Sequence, residues 1–325
     1  METLILKDNQ QTANPCVATI GMFDGVHKGH RFVLNHVCDY ARQQGLKSMV
    51  ITFDCHPREV VQTDWKPLLL TTNEERMRLL AETGVDDVKV LHFTPEMSVL
   101  SARDFMVMMK EQLSVKVLLM GYDNRFGHNR QETFEDYVRY GKEIGMKVES
   151  IPPLTIPEQN SPTRSLSNLL PLTSHISSSV IRRLLTDGKV KEAAQCLSYP
   201  YSIKGKVVKG EHIGTELGYP TANLLPSDSR KLIPAPGVYA VEVQFYTLHS
   251  TLYTKKGMMN IGTRPTFGTN PQTLEVHILD YEGDLYGQEI RVSFIERLRD
   301  ERRFDNIEEL KAQLDEDKKR IEKLK

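Results

Sequence analysis

Two short strings concentrate the residue types that handle phosphate. The first follows an apolar run, Cys16 to Ile20, and reads Gly21-Met22-Phe23-Asp24-Gly25-Val26-His27-Lys28-Gly29-His30. Glycines at 21, 25 and 29 let backbone approach a ligand closely, because no Cβ stands in the way. A helix is expected to begin near Gly29, so its free N–H groups and the positive end of its dipole face whatever lies before it. His27 and His30 flank that point. Together these groups suit a polyphosphate whose transition state carries extra negative charge. Two surface histidines are the plainer reading; the strand before the string and the helix after it argue for the phosphate site.

The second string runs from Gly205 to Leu224 and holds Gly210, Gly214 and Gly218 in a loop able to wrap phosphates. No Gly-Lys-Ser/Thr follows, so it is not a Walker A loop. As a bare glycine pattern it also describes a cluster of β-turns. Thr221 and Asn223 add hard oxygen donors two residues apart, which share one side of an extended segment. That suits magnesium, which takes few protein oxygens and completes its shell with water and phosphate. Farther on, Glu275 offers a carboxylate for proton transfer, the alternative being a strand glutamate that simply faces solvent.

These residues need elements to hold them. The first half alternates strand-like and helix-like segments: strand Cys16 to Ile20, a helix from Gly29 to Gln44 ended by Gly45, then strand Ser48 to Phe53. In that first helix the apolar positions are Phe32, Val33, Val37 and Ala41. A helix over Asn73 to Thr83, a strand over Val88 to His92 and a helix capped by Ser101 and running to Leu113 follow. Strand Val115 to Met120 and helix Glu132 to Ile144 complete the rhythm, which predicts a parallel sheet covered on both faces. Residues 152 to 175 hold five prolines among many Ser, Thr and Asn and read as an irregular excursion. Two short helices, Ser177 to Leu185 and Val190 to Leu197, come next. After Pro200 short β-rich segments appear: Tyr201 to Val208, Gly237 to Tyr246, Lys256 to Ile261, Thr273 to Asp280 and Glu289 to Ile295. They predict a small antiparallel barrel. A last helix, Asn306 to Leu324, carries Ile307, Leu310, Leu314, Ile321 and Leu324 on one stripe.

The chain's 325 residues suggest two domains at roughly 150 residues each. The 42 basic and 43 acidic side chains leave a net charge of −1, which argues against broad nucleic-acid binding. No apolar run approaches the roughly 18 residues of a membrane span, and Met1 to Pro15 lacks the apolar stretch of a signal peptide. Cys16, Cys38, Cys55 and Cys196 include no C-x-x-C pair, so reduced thiols in a cytoplasmic protein are expected rather than a zinc site.

The first string resembles the H-x-G-H turn of the nucleotidylyltransferase superfamily, and in its full length GMFDGVHKGH is similar to the N-terminal module of bacterial bifunctional riboflavin kinase/FAD synthetases. Further pieces fall in the same order: Thr52-Phe53-Asp54-Cys55-His56-Pro57-Arg58-Glu59, then Gly121-Tyr122-Asp123-Asn124-Arg125-Phe126-Gly127, then Ile176-Ser177-Ser178-Ser179-Val180-Ile181-Arg182. Each also has a plainer reading. His56-Pro57 could cap a strand, Phe126 is a good core residue, Ser177 and Ser178 are good N-caps, and Arg182 fits either a carboxylate or a phosphate. Asn124 stands where the family often has an aromatic residue, and the stretch before Ile176 is longer and more polar than its pattern. In the second half, LGYPTANL at Leu217 to Leu224 resembles the riboflavin kinase signature. The segments Pro236 to Ala240, Asn260 to Phe267, Leu274 to Asp280 and Arg297 to Phe304 are similar to that family's segments in order.

The resemblance covers nearly the whole chain. It implies an α/β plus β architecture: a Rossmann-like FMN adenylyltransferase domain over 1–187, a linker over 188–200, and a riboflavin kinase β-barrel with a terminal helix over 201–325. It implies phosphorylation of riboflavin to FMN by ATP, then adenylylation of FMN to FAD with release of pyrophosphate, with Mg²⁺ at both sites and ATP as co-substrate. Its site residues carry over as Glu275 for the general base, Thr221 and Asn223 for the metal, and His27, His30 and Arg182 for the departing pyrophosphate. Gly21, Phe23, Asp24, Gly29, His56, Asp123, Phe126, Ser177 and Ser178 carry over as ligand contacts in the first domain, and Gly210, Gly214, Asn260 and Arg297 in the second. The expected partners are riboflavin, FMN and ATP, with no nucleic acid and no membrane. Two alternatives stand beside this reading: a kinase with an impaired adenylyltransferase domain, and a flavin- or nucleotide-binding regulator.

Overall fold

A computed structural model describes residues 14–62, 64, 66–121, 124–128, 131–152, 176–210, 218–246, 252–263 and 272–324. The chain divides into two compact units, Met1–Ser178 and Ser179–Lys325.

The first unit is built on five parallel strands: β1 (Cys16–Ile20), β2 (Lys47–Phe53), β3 (Asp87–Leu91), β4 (Val115–Gly121) and β5 (Lys147–Ile151), in the order β3-β2-β1-β4-β5. Every residue of β1 is buried, as a central strand covered on both faces requires. Alternation along that strand feeds two cores. Val17 packs with Val37 and Ala41 of helix α1 (Lys28–Gln44), whereas Ala18 and Ile20 pack with Phe105, Met106 and Met109 of α5 (Ala102–Leu113). In α1 it is Leu34, Val37 and Ala41 that are buried, while Phe32 and Val33 pack only partly against the core. Gly45 ends α1 at φ +65°, a conformation that favours glycine, and its N–H returns to Ala41 O and Arg42 O. Between β2 and β3 lie the short α2 (Pro57–Val61) and α3 (Asn73–Ala81), the latter capped by Thr72. The short α4 (Pro95–Ser98) precedes α5, and α6 (Phe134–Ile144) leads into β5. The sequence reading had no β5, α2 or α4. Of the irregular excursion, 153–175 lies outside the described residues.

The order of the sheet reverses beside β1, with β2 on one side and β4 on the other. In an open parallel sheet that reversal leaves a crevice beyond the carboxyl ends of the strands, where ligands bind. The turn with His27 and His30 leaves β1 at this point.

The second unit opens with α7 (Ser178–Thr186) and α8 (Val190–Leu197), the first helix starting on the last residue of the first unit. The segment expected as a linker is thus largely helical, and it packs on the barrel: Lys191 Nζ reaches Glu296 at 3.4 Å. The barrel is closed and antiparallel, in the order β10-β7-β6-β11-β8-β9. Its strands are β6 (Ser202–Val208), β7 (Ala222–Pro226), β8 (Gly237–Tyr246), β9 (Leu252–Thr263), β10 (Gln272–Ile278) and β11 (Glu289–Arg299). β7 is the strand the sequence reading lacked. The terminal helix α9 (Ile307–Lys323) is capped by Asn306, whose Oδ1 accepts from Glu309 N at 2.8 Å. Ile321 is fully buried among Val238, Ala240 and Met258, with Leu314 and Leu324 beside it. Ile307 is 62% exposed and stands apart from this cluster, so the packed part of the apolar stripe starts later than expected. Among the described residues no helix is long and apolar enough to cross a membrane.

Candidate active sites

The turn after β1 is strained and tightly braced. Phe23 and Val26 both adopt positive φ, +51° and +35°, and Gly25 sits at +84°. A β-branched residue in that region is rare and persists only where surrounding contacts over-determine it. Asp24 supplies those contacts. Its buried carboxylate accepts from Leu70 N at 3.1 Å, Thr71 N at 2.9 Å and Thr71 Oγ1 at 2.9 Å. Thr71 Oγ1 accepts in turn from Gly25 N at 3.0 Å, and Ser178 Oγ donates to Asp24 O at 2.9 Å. Asp24 and Ser178 therefore brace the turn itself.

His27 is the N-cap of α1, and its Nδ1 accepts from His30 N at 3.3 Å. The two rings stack with centroids 3.6 Å apart and planes 17° from parallel, and the buried Phe23 meets His30 edge-on at 5.1 Å. Burial, and then the neighbouring His27, hold the His30 pKa well below its ordinary value. Its Nδ1 is buried with no hydrogen-bond partner among the described residues. Gly29 lies under this stack: a Cβ there would come within 3.2 Å of both the His27 ring and Ile176 O. At Gly21 a Cβ would meet the Phe23 ring at 3.2 Å.

Beside the turn a pocket of about 210 Å³ is lined by Gly21, Met22, Phe53, His56, Asn124 and Phe126, among others. His56 is the N-cap of α2. Its Nδ1 accepts from Arg58 N at 3.1 Å while its own N–H donates to Glu59 Oε1 at 3.1 Å. His56-Pro57 thus caps a helix, where the sequence suggested the cap of a strand. Asn124 donates from Nδ2 to Ile20 O at 2.5 Å, tying the loop after β4 to the end of β1. Phe126 is nearly buried against Phe105 and Tyr137, and the Tyr137 hydroxyl donates to Phe126 O at 2.7 Å. It is a core residue whose edge borders the pocket. Ser177 is half-buried just before α7. Asp123 lies outside the described residues.

Arg76 of α3 is a functional candidate that sequence reasoning missed. Its buried guanidinium donates to Met22 O at 3.2 Å, to Phe53 O, and to Asn73 Oδ1 at 2.9 Å. It thus joins the exits of β1 and β2. Burial lowers its pKa, against the pull of Asp24 and Asp54. The only hint in the sequence is an arginine four residues after the Thr72 cap, inside an ordinary amphipathic helix.

In the second unit the barrel register brings the predicted residues into one row. Glu275 of β10 lies directly opposite Asn223 of β7 on one side and Asn260 of β9 on the other. Opposed residues of antiparallel strands project from the same face. Thr221 Oγ1 donates to Glu275 Oε2 at 3.5 Å, a long contact. Gly210 closes over Asn223: a Cβ there would fall 1.9 Å from Asn223 Nδ2, so only glycine leaves the amide room. Thr221 also lines a neighbouring pocket of about 340 Å³ with Val207, Ala222, Val276, Tyr281 and Tyr286. Arg297 is engaged elsewhere: Nη2 donates to Pro236 O at 2.5 Å, Nη1 pairs with Asp300 at 2.8 Å, and its side chain fills the space beside Gly188 and Gly237. Arg182 is half-buried on α7. Gly214 lies outside the described residues. No group of three or more His, Cys, Asp or Glu side chains stands ready for a metal among the described residues. The hydroxyl of Thr221 and the amide of Asn223, with the Glu275 carboxylate nearby, are hard-oxygen donors of the kind that could serve magnesium beside phosphate and water.

A parallel sheet with a braced, positively poled turn at its switch point, joined to a barrel with a row of hard oxygen donors, defines a two-module nucleotide-handling transferase. Residues 9–164 match the family model described as FAD synthetase, and residues 197–325 the one described as riboflavin kinase. A relative from Escherichia coli strain K12 is 38% identical over 310 residues, 95% of this chain and 92% of its own length; it is named bifunctional riboflavin kinase/FMN adenylyltransferase. One from Listeria monocytogenes with the same name is 34% identical over 303 residues, 93% of this chain and 90% of its own. A crystal structure from Streptococcus pneumoniae, described as a macrolide-efflux protein, superposes with a TM-score of 0.85 at 30% identity and 99% coverage of both chains. The chain belongs to the family of bifunctional riboflavin kinase/FMN adenylyltransferases. It is a transferase of flavin cofactor biosynthesis, with ATP as co-substrate, that phosphorylates riboflavin to FMN and adenylylates FMN to FAD.

Proposed function

We propose how its residues divide that work. In the barrel, Glu275 accepts the proton of the riboflavin 5′-hydroxyl as that oxygen takes the γ-phosphoryl of ATP and ADP leaves. Thr221 and Asn223, with Glu275 close by, are the residues that would hold Mg²⁺, and the ion would neutralise phosphate charge there. Gly210 keeps Asn223 in place, and Asn260 completes the polar row. In the sheet module an oxygen of the FMN phosphate attacks the α-phosphorus of a second ATP. The α–β bridging P–O bond breaks and pyrophosphate departs. The attacking group is already an anion, so no covalent enzyme intermediate is needed. The N-terminus of α1 with His27 and His30 stabilises the charge that builds on the leaving group. The pocket lined by Met22, Phe53 and Phe126 offers the apolar walls a flavin ring requires. The observation that carries this reading is the register that sets Asn223, Glu275 and Asn260 in one row with Thr221 in contact.

The adenylyltransferase function is assigned within residues 1–187 and the kinase within 201–325, with 188–200 between them. We place the protein in the cytoplasm, acting on small molecules without nucleic acid or membrane; its four cysteines are free thiols and its net charge is −1. The test is one time course with riboflavin, ATP and Mg²⁺, resolved by chromatography. FMN rises first and then gives way to FAD. FMN accumulating without FAD would leave a kinase alone, and tight flavin binding with no product would leave a binding protein.

A further inference from the structure

The segment that leads through Thr221 into β7 is held by side chains with no role so far. His277 follows Glu275 by two residues on β10 and so projects from the same face. Its Nδ1 lies 2.9 Å from Pro220 O; a carbonyl only accepts, so that nitrogen carries the proton. Burial lowers the His277 pKa below its ordinary value, with Lys318 adding to that shift and Pro220 O and Asp280 opposing it. The ring of Tyr219 meets His277 edge-on at 5.0 Å. Tyr219 is buried among Val238, Ala240, Met258 and Ile321, and its hydroxyl donates to Asp315 Oδ1 on α9. Residues 219 and 220 are therefore fixed to β10 on one side and to the terminal helix on the other. Thr221 is the next residue, and its hydroxyl lies 3.5 Å from Glu275, the outer edge of hydrogen-bond distance.

We propose that His277, together with the Tyr219–Asp315 pair, is a positioning device for the kinase site: it sets the peptide before Thr221 and thereby tunes the affinity for magnesium-bound nucleotide. The proposal rests on Thr221 and Asn223 being the magnesium donors. His277 acts through Thr221, so its effect is confined to the metal-dependent part of nucleotide binding.

Adenylylation of added FMN, which uses the other module, normalises each preparation for active protein, and the circular-dichroism melt of each variant checks that its barrel has folded. His277→Phe keeps a ring against Tyr219 and deletes the donor, whereas His277→Gln keeps a donor. Calorimetric titration with ADP, with Mg²⁺ and then with a chelator, reads the effect at equilibrium. H277F weakens ADP binding in Mg²⁺ by roughly five- to tenfold, the size of one lost hydrogen bond, and leaves chelator-phase binding unchanged. It raises the Mg²⁺ needed for half-maximal FMN formation by the same factor, and H277Q recovers most of the loss. Unchanged affinity in H277F, an equal loss in H277Q, or an equal loss with and without Mg²⁺ overturns the proposal. If H277F does not fold, Tyr219→Phe, which deletes one oxygen, serves in its place: the same shift supports the device and no shift overturns it. Thr221→Ala, run alongside, separates the two layers. If T221A leaves the Mg²⁺ dependence unchanged, the metal reading itself fails; if T221A shifts it and H277F does not, only the positioning device fails.

Discussion

In the adenylylation proposed above, His30 would act as a neutral ring. It stacks on His27, its Nδ1 is buried, and both burial and its neighbour disfavour a second proton. A neutral imidazole donates one hydrogen bond to a departing phosphate and adds no charge, which leaves the charge complement to the N-terminus of α1. His30→Ala should lower FAD formation from added FMN by about 10²-fold or more and leave FMN formation intact; assays of each half-reaction check both. The depressed pKa also has a stability consequence of definite sign. The unfolded chain takes up this proton near about pH 6.5 and the folded chain only at lower pH, so acid favours unfolding. The contribution is whole above about 6.5 and is lost as the pH falls below it. Thermal melts at about pH 8 and about pH 5 should show an acid-side loss that is smaller in His30→Ala. At this scale the types and spacings of His27, His30, Thr221 and Asn223 drew attention to them as candidates for phosphate and metal chemistry, whereas Glu275 stood out only through the resemblance of its segment. Asp24 and Phe126 were harder to read. A carboxylate or an aromatic in a glycine-rich turn suits a ligand equally well, and only contacts with Thr71 and Tyr137 show what each is tied to.

Elements decide where those side chains point, and α3 shows how. A buried guanidinium needs partners for its donors, and the two terminal nitrogens of Arg76 find them in the carbonyls at the exits of β1 and β2 and in Asn73 Oδ1. Met22 and Phe53, which own those carbonyls, also line the pocket beside the turn. Arg76→Lys keeps the charge and loses the planar fork that bridges two strands. It should raise the KM for FMN in adenylylation by roughly tenfold, with a smaller change in kcat and the riboflavin kinase step unchanged. A fall in kcat alone would count against a positioning role. Four of the five strands of the sheet and most of the helices were legible from period and caps, Ser101 and Gly45 among them. What was not legible is short or atypical. β5 buries Val148 and Ile151 but neither alternates strictly nor forms an apolar run, because it is an edge strand. β7, Ala222–Pro226, ends in proline and follows a glycine loop, so it reads as a turn until β6 and β10 pair with it. α2 and α4 begin at prolines and are too short to show a period.

At the scale of the molecule, each unit has its own core, pocket and reactive row, and the product of one is the substrate of the other. Nothing in either mechanism requires a covalent intermediate on the protein, so FMN links the two steps as a free or bound small molecule. Glu275→Gln removes the proton acceptor and keeps the shape of the row, so FMN formation should fall by about 10²-fold or more while FAD formation from added FMN continues. Loss of both activities would reject separable sites. Mixing Glu275→Gln with His30→Ala protein then asks what joins the halves. Each partner lacks one step, so FAD from riboflavin appears only if FMN made by one molecule reaches the sheet module of another. Two independent pockets predict that it does, with a lag while free FMN accumulates and a rate that rises with the concentration of the Glu275→Gln partner. A mixture that makes FMN but no FAD, while the Glu275→Gln partner still adenylylates FMN supplied at the same concentration, would show that FMN passes between steps only within one molecule.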